Sequence, residues 1–387
     1  MVKADAYGHG AVPVAFALEA AGADGLSVAT LDEALELRDA GVALPILVLY
    51  PVPAGQVEAA AWAHVAVTLG SGRIAEGTLA AAAGAVTTGA PPLVVHLEVE
   101  TGLGRGGVLP DGLGVLVDAI AAEPGVTLGG LWTHLAAPDD ADNAAGQDAR
   151  FAEAVVGLGV EVADPAPGTV VRHVSGSGGL LGATAGAWDA IRPGLATYGL
   201  VPDGLHVASA REPGATILQP VLALYARPVR VVDLPAGHGV SYGPAFVTDR
   251  ASRIATLPVG YGDGWRRTWT GLASTIVRGV RVPLVGRVAM DAVMADVTDV
   301  PGPPVTEDDE FVLIGRQGGE RITGLDLAAA GGTISYEVLT GMSRRLPRVY
   351  HAAGSPVEIR YLAGGRSEWR ASSSGTGISV TSRSMPS

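Results

Sequence analysis

Residues 25–50, GLSVATLDEALELRDAGVALPILVLY, decide the fold class of this chain. Two apolar runs, Gly25–Thr30 and Pro45–Tyr50, flank a segment with helical periodicity, Leu31–Ala40. The runs are largely continuous in apolar character, which is typical of strands covered on both faces. The stretch therefore predicts two parallel strands joined by a helix.

The same alternation extends from residue 1 to about residue 212. The strand-like runs in this region are Gly25–Thr30, Pro45–Tyr50, Val65–Leu69, Leu93–Val99, Thr127–Thr133, Thr169–Val174 and Trp188–Arg192. An initial strand that ends near Lys3 makes eight. An α/β fold is therefore expected over residues 1–212. The count fits a (β/α)8 TIM-type barrel, although a doubly wound sheet fits almost as well.

A second region begins near residue 214, where the helical period fades and strands alternate with Gly and Pro turns. The predicted strands are Ile217–Val229, Arg253–Leu257, Ser274–Leu284, Ala292–Val297 and Glu310–Ile314. We expect a mostly β C-terminal domain over residues 213–363. Residues 364–387 are rich in Ser, Gly and Thr, which predicts a disordered tail.

Composition excludes several classes of protein. With 387 residues, 48% of them hydrophobic, the chain can form two domains with large cores. The net charge of -13 argues against a nucleic-acid partner, which requires a basic surface. Zero cysteines exclude disulfides, thiolate catalysis and cysteine metal sites, and we expect no metal. No apolar run reaches the ~18 residues of a membrane span, so a cytoplasmic protein without a membrane partner is expected.

The most specific motif is VKADAYGHG, residues 2–10. A lysine that directly follows a barrel strand points into the C-terminal mouth, where such barrels carry their chemistry. A buried lysine there can act as a Schiff-base nucleophile, whereas a lysine near a chain start is otherwise usually solvated. The nine residues resemble, letter for letter, the segment of the alanine racemases that carries the lysine bound to pyridoxal phosphate (PLP). The resemblance implies that Lys3 holds PLP.

Eight further segments resemble the same family and follow in its order. They are ETGLGR (100–105), WTHLA (132–136), HVSGS (173–177), IRPGLATYG (191–199), VSYG (240–243), VGYGDG (259–264), VGRVAMD (285–291) and ISYEVL (334–339). On these motifs the chain is identified as a member of the alanine racemase family. Such isomerases interconvert L- and D-alanine, and the resemblance implies supply of D-alanine for peptidoglycan in the cell wall.

The resemblance also implies the roles of individual residues. The cofactor would be contacted by Lys3, Tyr7, His134, Ser177, Arg192, Gly194, Leu195 and Tyr336. The substrate would be contacted by Arg105, Tyr261 and Met290. Proton transfer would use Lys3 on the D face and Tyr242 on the L face. In the family the residues that match Tyr242 and Met290 come from the other subunit, which implies a homodimer.

General chemistry agrees with these roles. The loops after barrel strands 7 and 8 are the usual phosphate site, and Ser177 and Gly194 follow the predicted seventh and eighth strands. Arg192 stays protonated, so it can only donate to an unprotonated ring nitrogen, which disfavours a long-lived carbanion and suits racemisation. A tyrosine with a pKa near ~10 needs help to act as a base, and His134 is the candidate helper for Tyr242.

Three positions depart from the family pattern. Relatives carry a segment before the lysine that includes most of the first strand, whereas two residues precede Lys3 here. We therefore expect a truncated first strand, exposed sheet edges and a loosely held Lys3, owing to a mis-assigned start or a fragment. Glu98 stands where many relatives have a carbamylated lysine, and its carboxylate can pair with Arg105 instead. Gly176 replaces a usual asparagine, so one polar contact is expected to be lost.

Other readings of the motifs stay open. The chain could be a PLP-binding protein with little catalysis, although single-domain relatives of that kind lack the second domain. It could be an inactive, N-terminally truncated racemase. A PLP-dependent decarboxylase with the same barrel would need a cysteine from the partner subunit, and this chain has none. Among substrates, serine remains open beside alanine.

Overall fold

The computed structural model describes residues 1–70, 72–158, 170–182, 186, 188–205, 218–352 and 354–362, and the backbone of residues 366–368. The chain divides into two compact units. The first contains Met1–Tyr7 and Ala11–Val221, and the second contains Gly8–Gly10 and Leu222–Ser387. The predicted domain boundary at residue 212 lies outside the described residues.

The first unit has a six-stranded parallel sheet in the consecutive order β1 to β6. Its strands are Leu26–Val28, Ile46–Val48, Val65–Leu69, Leu93–Glu98, Val126–Trp132 and Val171–His173. Its helices α1 to α8 are Lys3–Tyr7, Ala11–Ala20, Leu31–Asp39, Val57–Trp62, Arg73–Thr87, Pro110–Ala121, Ala141–Gly157 and Ser177–Gly182. The α/β class is confirmed. Because the strand order never reverses within the described sheet, the doubly wound alternative is wrong.

Two predicted strands of the first unit, the initial one and Trp188–Arg192, are not regular strands in the described part of the chain. The segment Trp188–Arg192 is reduced to one parallel bridge between Ala190 and His173, because the Asp189 side chain, and not a strand backbone, accepts from the backbone N–H of Arg172. At the other edge, the Val2 N–H donates to the Ser27 carbonyl at 2.9 Å.

The expected loose attachment of Lys3 is wrong in this structure. The preceding residue, Val2, is fully buried. The Met1 amine donates to the Pro193 carbonyl at 3.1 Å, and the Tyr198 hydroxyl donates to the Met1 carbonyl at 2.6 Å. Residues 1 and 2 therefore lie between β1 and the segment that follows β6, where the first strand of a closed barrel belongs.

The second unit is mostly antiparallel, as predicted. Its strands β7 to β19 are Leu224–Ala226, Arg230–Leu234, Gly239–Val240, Phe246–Val247, Ser252–Leu257, Ser274–Val277, Val280–Val285, Val293–Asp296, Phe311–Gln317, Glu320–Ile322, Arg348–Ala352, Ser355–Arg360 and Arg366–Glu368. The main sheet has the order β16-β15-β12-β13-β14-β11-β8, with β7 on β15. Two helices, α9 (Gly324–Gly331) and α10 (Ser335–Thr340), follow the main sheet.

Three predictions for this unit need correction. The single strand expected over Ser274–Leu284 is a hairpin, because Arg278 and Gly279 both adopt left-handed backbone angles, as a tight two-residue turn requires. The described part of Ile217–Val229 contains only β7, since prolines on both sides limit pairing. In the predicted disordered tail, Arg366–Glu368 pairs with β18. The rest of that tail lies outside the described residues.

The hydrophobic core of the second unit surrounds two fully buried indoles. Trp265 and Trp269 pack edge to face, with ring centroids 4.8 Å apart. Strands β11 to β15 contribute buried aliphatic side chains to the same cluster. Across the residues that the structure describes, no helix is both long and apolar enough to cross a membrane.

Candidate active site

Lys3 begins a left-handed turn. Ala4, Asp5, Ala6 and Tyr7 all have φ between 52° and 54°. A left-handed conformation costs roughly 1–2 kcal/mol for each residue that has a Cβ, so the turn needs support from its surroundings. Part of that support is local, because the Ala6 N–H donates to the Val2 carbonyl and the Ala11 N–H donates to the Asp5 carboxylate, both at 2.9 Å.

The Glu33 carboxylate supplies further support for the turn. It accepts hydrogen bonds from three backbone N–H groups, at 2.6 Å from Ala4, 2.8 Å from Ala29 and 3.2 Å from Thr30. Thr30 and Glu33 also form the capping box of α3. One carboxylate therefore links the N-terminus of a helix to the residue that follows Lys3.

The Lys3 amine has an altered electrostatic environment. Burial lowers its pKa, and the positive charges of Arg105 and Arg192 lower it further, while Glu33 opposes them. A lower pKa increases the fraction of neutral amine, which is the nucleophilic and basic form. The environment thus favours the chemistry that the motif predicted.

Arg192 is held by four hydrogen bonds from its two terminal nitrogens. Nη1 donates to His173 Nδ1 at 2.5 Å and to the His173 carbonyl at 2.8 Å. Nη2 donates to the carbonyls of Thr133 at 2.7 Å and Val174 at 3.1 Å. A guanidinium has five N–H donors, so only Nε–H remains without an acceptor among the described residues. Burial lowers the pKa of Arg192 to about 9, which leaves it protonated at neutral pH.

The histidines around Arg192 are only partly those that the sequence suggested. Its imidazole partner is His173, the first residue of the HVSGS segment, to which the sequence assigned no role. The guanidinium carbon also lies 4.9 Å from the ring centroid of Trp132, a cation–π contact. Burial, followed by the charge of Arg192, lowers the pKa of His134 to about 3. His134 is therefore neutral near neutral pH and brings no positive charge to the site.

Ser177, Gly194 and Leu195 lie together beyond the end of β6. The backbone N–H groups of Gly194 and Ala196 both point at Ser177 Oγ, at 2.8 and 3.1 Å. A Cβ on Gly194 would lie 2.6 Å from the Tyr7 hydroxyl, so glycine is required for this approach. Leu195 is fully buried and begins a 3-10 helix, Leu195–Tyr198. Convergent N–H and hydroxyl groups of this kind suit a phosphate.

Arg105 pairs with Glu98, as the sequence predicted. Its Nη2 atom is 3.4 Å from Glu98 Oε1, and its guanidinium carbon lies 5.9 Å from the ring centroid of Tyr50. Burial raises the pKa of the Glu98 carboxyl, while the charge of Arg105 opposes that shift. The Arg105 side chain is 40% exposed, so one side of it faces open space. At Gly176 an added Cβ would meet His134 Cε1 at 3.5 Å, an ordinary contact.

The second unit presents its motif residues at its surface. Tyr242 is 71% exposed, Met290 51% and Tyr261 43%. The Tyr242 loop is fastened by Ser241, which has a φ of 67° and whose hydroxyl donates to the Arg287 carbonyl at 2.6 Å. Tyr336 lies in helix α10 of the same unit.

The loops of Tyr261 and Met290 are joined to each other. The Tyr261 N–H donates to the Ala289 carbonyl at 3.0 Å, and the Gly262 N–H donates to the Met290 carbonyl at 2.8 Å. The Arg345 guanidinium bridges the two loops, at 2.8 Å from Asp263 and 2.6 Å from Asp291. The predicted residues therefore form two groups, one within each unit.

Comparison with known proteins agrees with this division. Residues 1–202 match the family model "Alanine racemase, N-terminal domain", and residues 221–350 match "Alanine racemase, C-terminal domain". The chain belongs to the alanine racemase family. The alanine racemase of Symbiobacterium thermophilum is 41% identical over 359 residues, which cover 90% of this chain and 89% of that protein.

Solved structures of the family share the fold. The alanine racemase of Bacillus anthracis, a crystal structure with bound L-Ala-P, is 33% identical with a TM-score of 0.82, and the match covers 94% of this chain and 90% of that one. The enzyme from a D-cycloserine-producing Streptomyces lavendulae is 36% identical with a TM-score of 0.78, covering 91% and 90%. The TIM-type barrel predicted for the first unit is confirmed by this likeness.

Proposed function

We propose that this chain is a PLP-dependent isomerase that interconverts L- and D-alanine by proton transfer on two opposite faces. The observation that carries the proposal is the environment of Lys3. Its pKa is lowered by burial and by two arginines, and its loop is held in a left-handed turn. A lysine of lowered pKa with a fixed backbone is what a Schiff-base and proton-transfer residue requires.

The residues of the first unit fit PLP. Lys3 Nζ would bind the aldehyde carbon of PLP. Arg192 would donate its remaining Nε–H to the pyridine nitrogen of PLP. Tyr7, Ser177 and the N–H groups of Gly194 and Leu195 would hold the phosphate, with the Gly194 N–H turning to it from Ser177 Oγ. A Cβ at Gly194 would fill the space beside Tyr7. Tyr336 would add a second phenol and His134 a neutral imidazole. When bound, PLP withdraws electrons from the amino acid and acidifies its α-proton.

The remaining residues would place and move the proton. Arg105 would bind the substrate carboxylate, oriented by Glu98, which supplies the carboxylate that a carbamylated lysine offers elsewhere. Lys3 Nζ would move the proton on the D face and Tyr242 Oη on the L face. Because Arg192 can only donate, it would favour an unprotonated ring nitrogen in bound PLP, which suits rapid return of the proton.

A homodimer would complete each site. Tyr242 and Met290 would come from the partner subunit, and Tyr261 would form the wall of the mouth. All three side chains are exposed on motif loops of the second unit, so they are accessible to another subunit. The enzyme would act in the cytoplasm. Its product, D-alanine, would be used for peptidoglycan in the cell wall.

The test is D-alanine formation from L-alanine by the full chain, with and without added PLP, against the Tyr242→Phe variant. A racemase forms D-alanine only with PLP. The variant should retain PLP absorbance while losing most turnover. If the unmodified chain binds PLP and forms no D-alanine, it is a PLP-binding protein and the proposal is overturned.

A further inference from the structure

The imidazoles of His96 and His173 form a chain that ends on Arg192, and the proposed reaction has not used His96. His96 Nδ1 lies 3.1 Å from His173 Nε2, and Arg192 Nη1 lies 2.5 Å from His173 Nδ1. His173 and Arg192 are buried and His96 is half-buried. The three side chains are thus linked in the order His96, His173, Arg192.

The direction of each hydrogen bond follows from the arginine. A guanidinium is a donor only, so His173 Nδ1 must be the acceptor and cannot carry a proton. A neutral imidazole then carries its proton on Nε2, which points at His96 Nδ1. His96 Nδ1 must accept that proton's hydrogen bond, which places the proton of His96 on its own Nε2.

Both imidazoles are kept neutral by their surroundings. Burial, followed by the charge of Arg192, lowers the pKa of His96 to about 4. The same two causes hold the pKa of His173 well below its ordinary value. Neither ring therefore gains a second proton near neutral pH, and the chain of donors and acceptors keeps one direction.

Strand β5 is built around the His96 ring. A Cβ on Gly130 would overlap His96 Nδ1 and Cε1, and a Cβ on Gly129 would lie 3.1 Å from His96 Nε2. The pairing of β4 with β5 also shifts register between Val95 and His96. Two adjacent glycines inside a strand weaken it, so their presence here indicates that another group must approach closely.

We propose that His96 is a positioning residue: it accepts the Nε2 proton of His173 and holds that ring in the orientation and tautomer that receive Arg192. Without this acceptor, a buried N–H would be left unpaired, and the ring would turn to satisfy it. Arg192 would then lose one of its four hydrogen-bond acceptors. Its Nε–H would no longer be held in the direction of the ring nitrogen of bound PLP. The effect on turnover rests on the proposed racemase function, whereas the tautomer does not.

The direct test is a two-bond proton–nitrogen NMR correlation on the full chain with PLP, labelled with ¹⁵N-histidine. The His96→Gln spectrum assigns the signals of His96 by their disappearance. We expect both His96 and His173 to carry one proton, on Nε2. A His173 that is protonated on Nδ1, or on both nitrogens, overturns the proposal whether or not the protein is a racemase.

The kinetic test compares an acceptor with a non-acceptor at position 96. His96→Leu should lower kcat roughly tenfold with KM for alanine nearly unchanged, because an outer partner orients a residue that touches the cofactor. His96→Gln, whose amide oxygen can accept, should stay within about threefold of the unmodified chain. Val94→Ala, two residues away on the same face of β4, is the packing control. Equal losses of kcat in the Leu and Gln variants would overturn the proposal.

Discussion

The two units hold their proposed site residues in opposite ways. In the first, Arg192 is buried, and every hydrogen of its two terminal nitrogens meets a protein acceptor. In the second, Tyr242 is 71% exposed, and the hydrogen bond that fastens its loop involves the neighbouring serine. One unit fixes its polar groups internally, and the other holds side chains outward on a fastened loop.

This difference indicates which kind of binding partner suits each unit. A buried network satisfied by its own fold needs only a small ligand at its remaining donor. An exposed phenol on a rigid loop is suited to a surface supplied by another molecule. The comparison predicts that damage to the first unit lowers stability and activity together, whereas damage to the second lowers activity alone.

The largest effect is expected for Tyr242→Phe. Loss of the hydroxyl removes one proton-transfer group, and kcat should fall by roughly 10²–10⁴ with folding unchanged. Mixing this variant with Lys3→Ala under conditions of subunit exchange sharpens the comparison. If sites form between subunits, half of the dimers are hybrids with one intact site each, and about a quarter of the original activity returns.

The same mixture has an internal control. Each variant alone must stay inactive after the same exchange treatment, and each must show the circular dichroism spectrum of the unmodified chain. Recovery near zero with proven exchange would mean that Lys3 and Tyr242 act within one chain, and the contrast between the units would not reflect a subunit interface.

A smaller loss is expected for Arg192→Lys. Lysine has three donors on one nitrogen and cannot reach four separate acceptors, so buried carbonyls are left unpaired. The free energy of unfolding should fall by about 2–4 kcal/mol, measured with urea, and turnover should fall with it. The matched change Arg345→Lys alters a bridge whose arginine side chain is 41% exposed and keeps a positive charge beside Asp263 and Asp291, so it should change the urea midpoint little. Equal destabilisation by both changes would remove the distinction between the units.

The pH dependence of stability separates the units further. Burial holds the pKa values of His96 and His134 at about 4 and about 3, and that of His173 is also depressed. Below about pH 6.5 these histidines are protonated in the unfolded chain but stay neutral in the folded chain. The free energy of unfolding therefore falls as the pH falls. Each such histidine adds a slope of up to about 1.4 kcal/mol per pH unit.

Urea unfolding between pH 7.5 and pH 4.5 measures this slope, since ordinary histidines and carboxylates contribute equally to the unmodified chain and to a single variant. His96→Gln should reduce the slope of unfolding free energy against pH by the contribution of one histidine, up to about 1.4 kcal/mol per pH unit. A slope that is identical in both proteins would show that His96 titrates alike in the folded and unfolded states.

The sequence predicted most of the fold because its signals are local. The βα alternation identified strands such as β3 within the first unit. The failures had two causes, a side-chain contact between separated segments and a tight turn inside an apolar run. The eighth strand was lost because Asp189 accepts from the backbone of Arg172, and the Ser274–Leu284 hairpin was missed because the turn at Arg278–Gly279 was read as a continuous strand.

Motifs predicted most residues of the candidate site. Glu33 and His96, which the sequence did not reveal as site residues, were not assigned to any motif. Glu33 lies in the first turn of α3, and its sequence position is already explained by a capping box with Thr30. Its contact with Ala4 joins residues 29 positions apart, which periodicity cannot indicate. The pair Gly129–Gly130 inside a predicted strand was the one signal that could have pointed to His96.

The smallest expected effects compare how each unit holds the loop of its proposed proton-transfer residue, Lys3 or Tyr242. Glu33→Gln exchanges a carboxylate that accepts from three N–H groups for an amide with one acceptor oxygen. Ser241→Ala removes a single hydroxyl from the Tyr242 loop. We expect the first change to destabilise the chain by about 1–2 kcal/mol and the second by at most about 1 kcal/mol, both measured with urea.

Their kinetic consequences should differ in kind. Glu33 opposes the lowering of the Lys3 pKa, so its neutralisation should lower that pKa further and shift the acid limb of the kcat profile for D-alanine to lower pH, since Lys3 is the proposed base on the D face. Ser241 bears no charge, and its removal should lower kcat without moving the profile, because a looser loop misplaces Tyr242 at every pH. A shifted acid limb in Ser241→Ala, or an unshifted one in Glu33→Gln, would show that the two fastenings do not act on different faces of the same reaction.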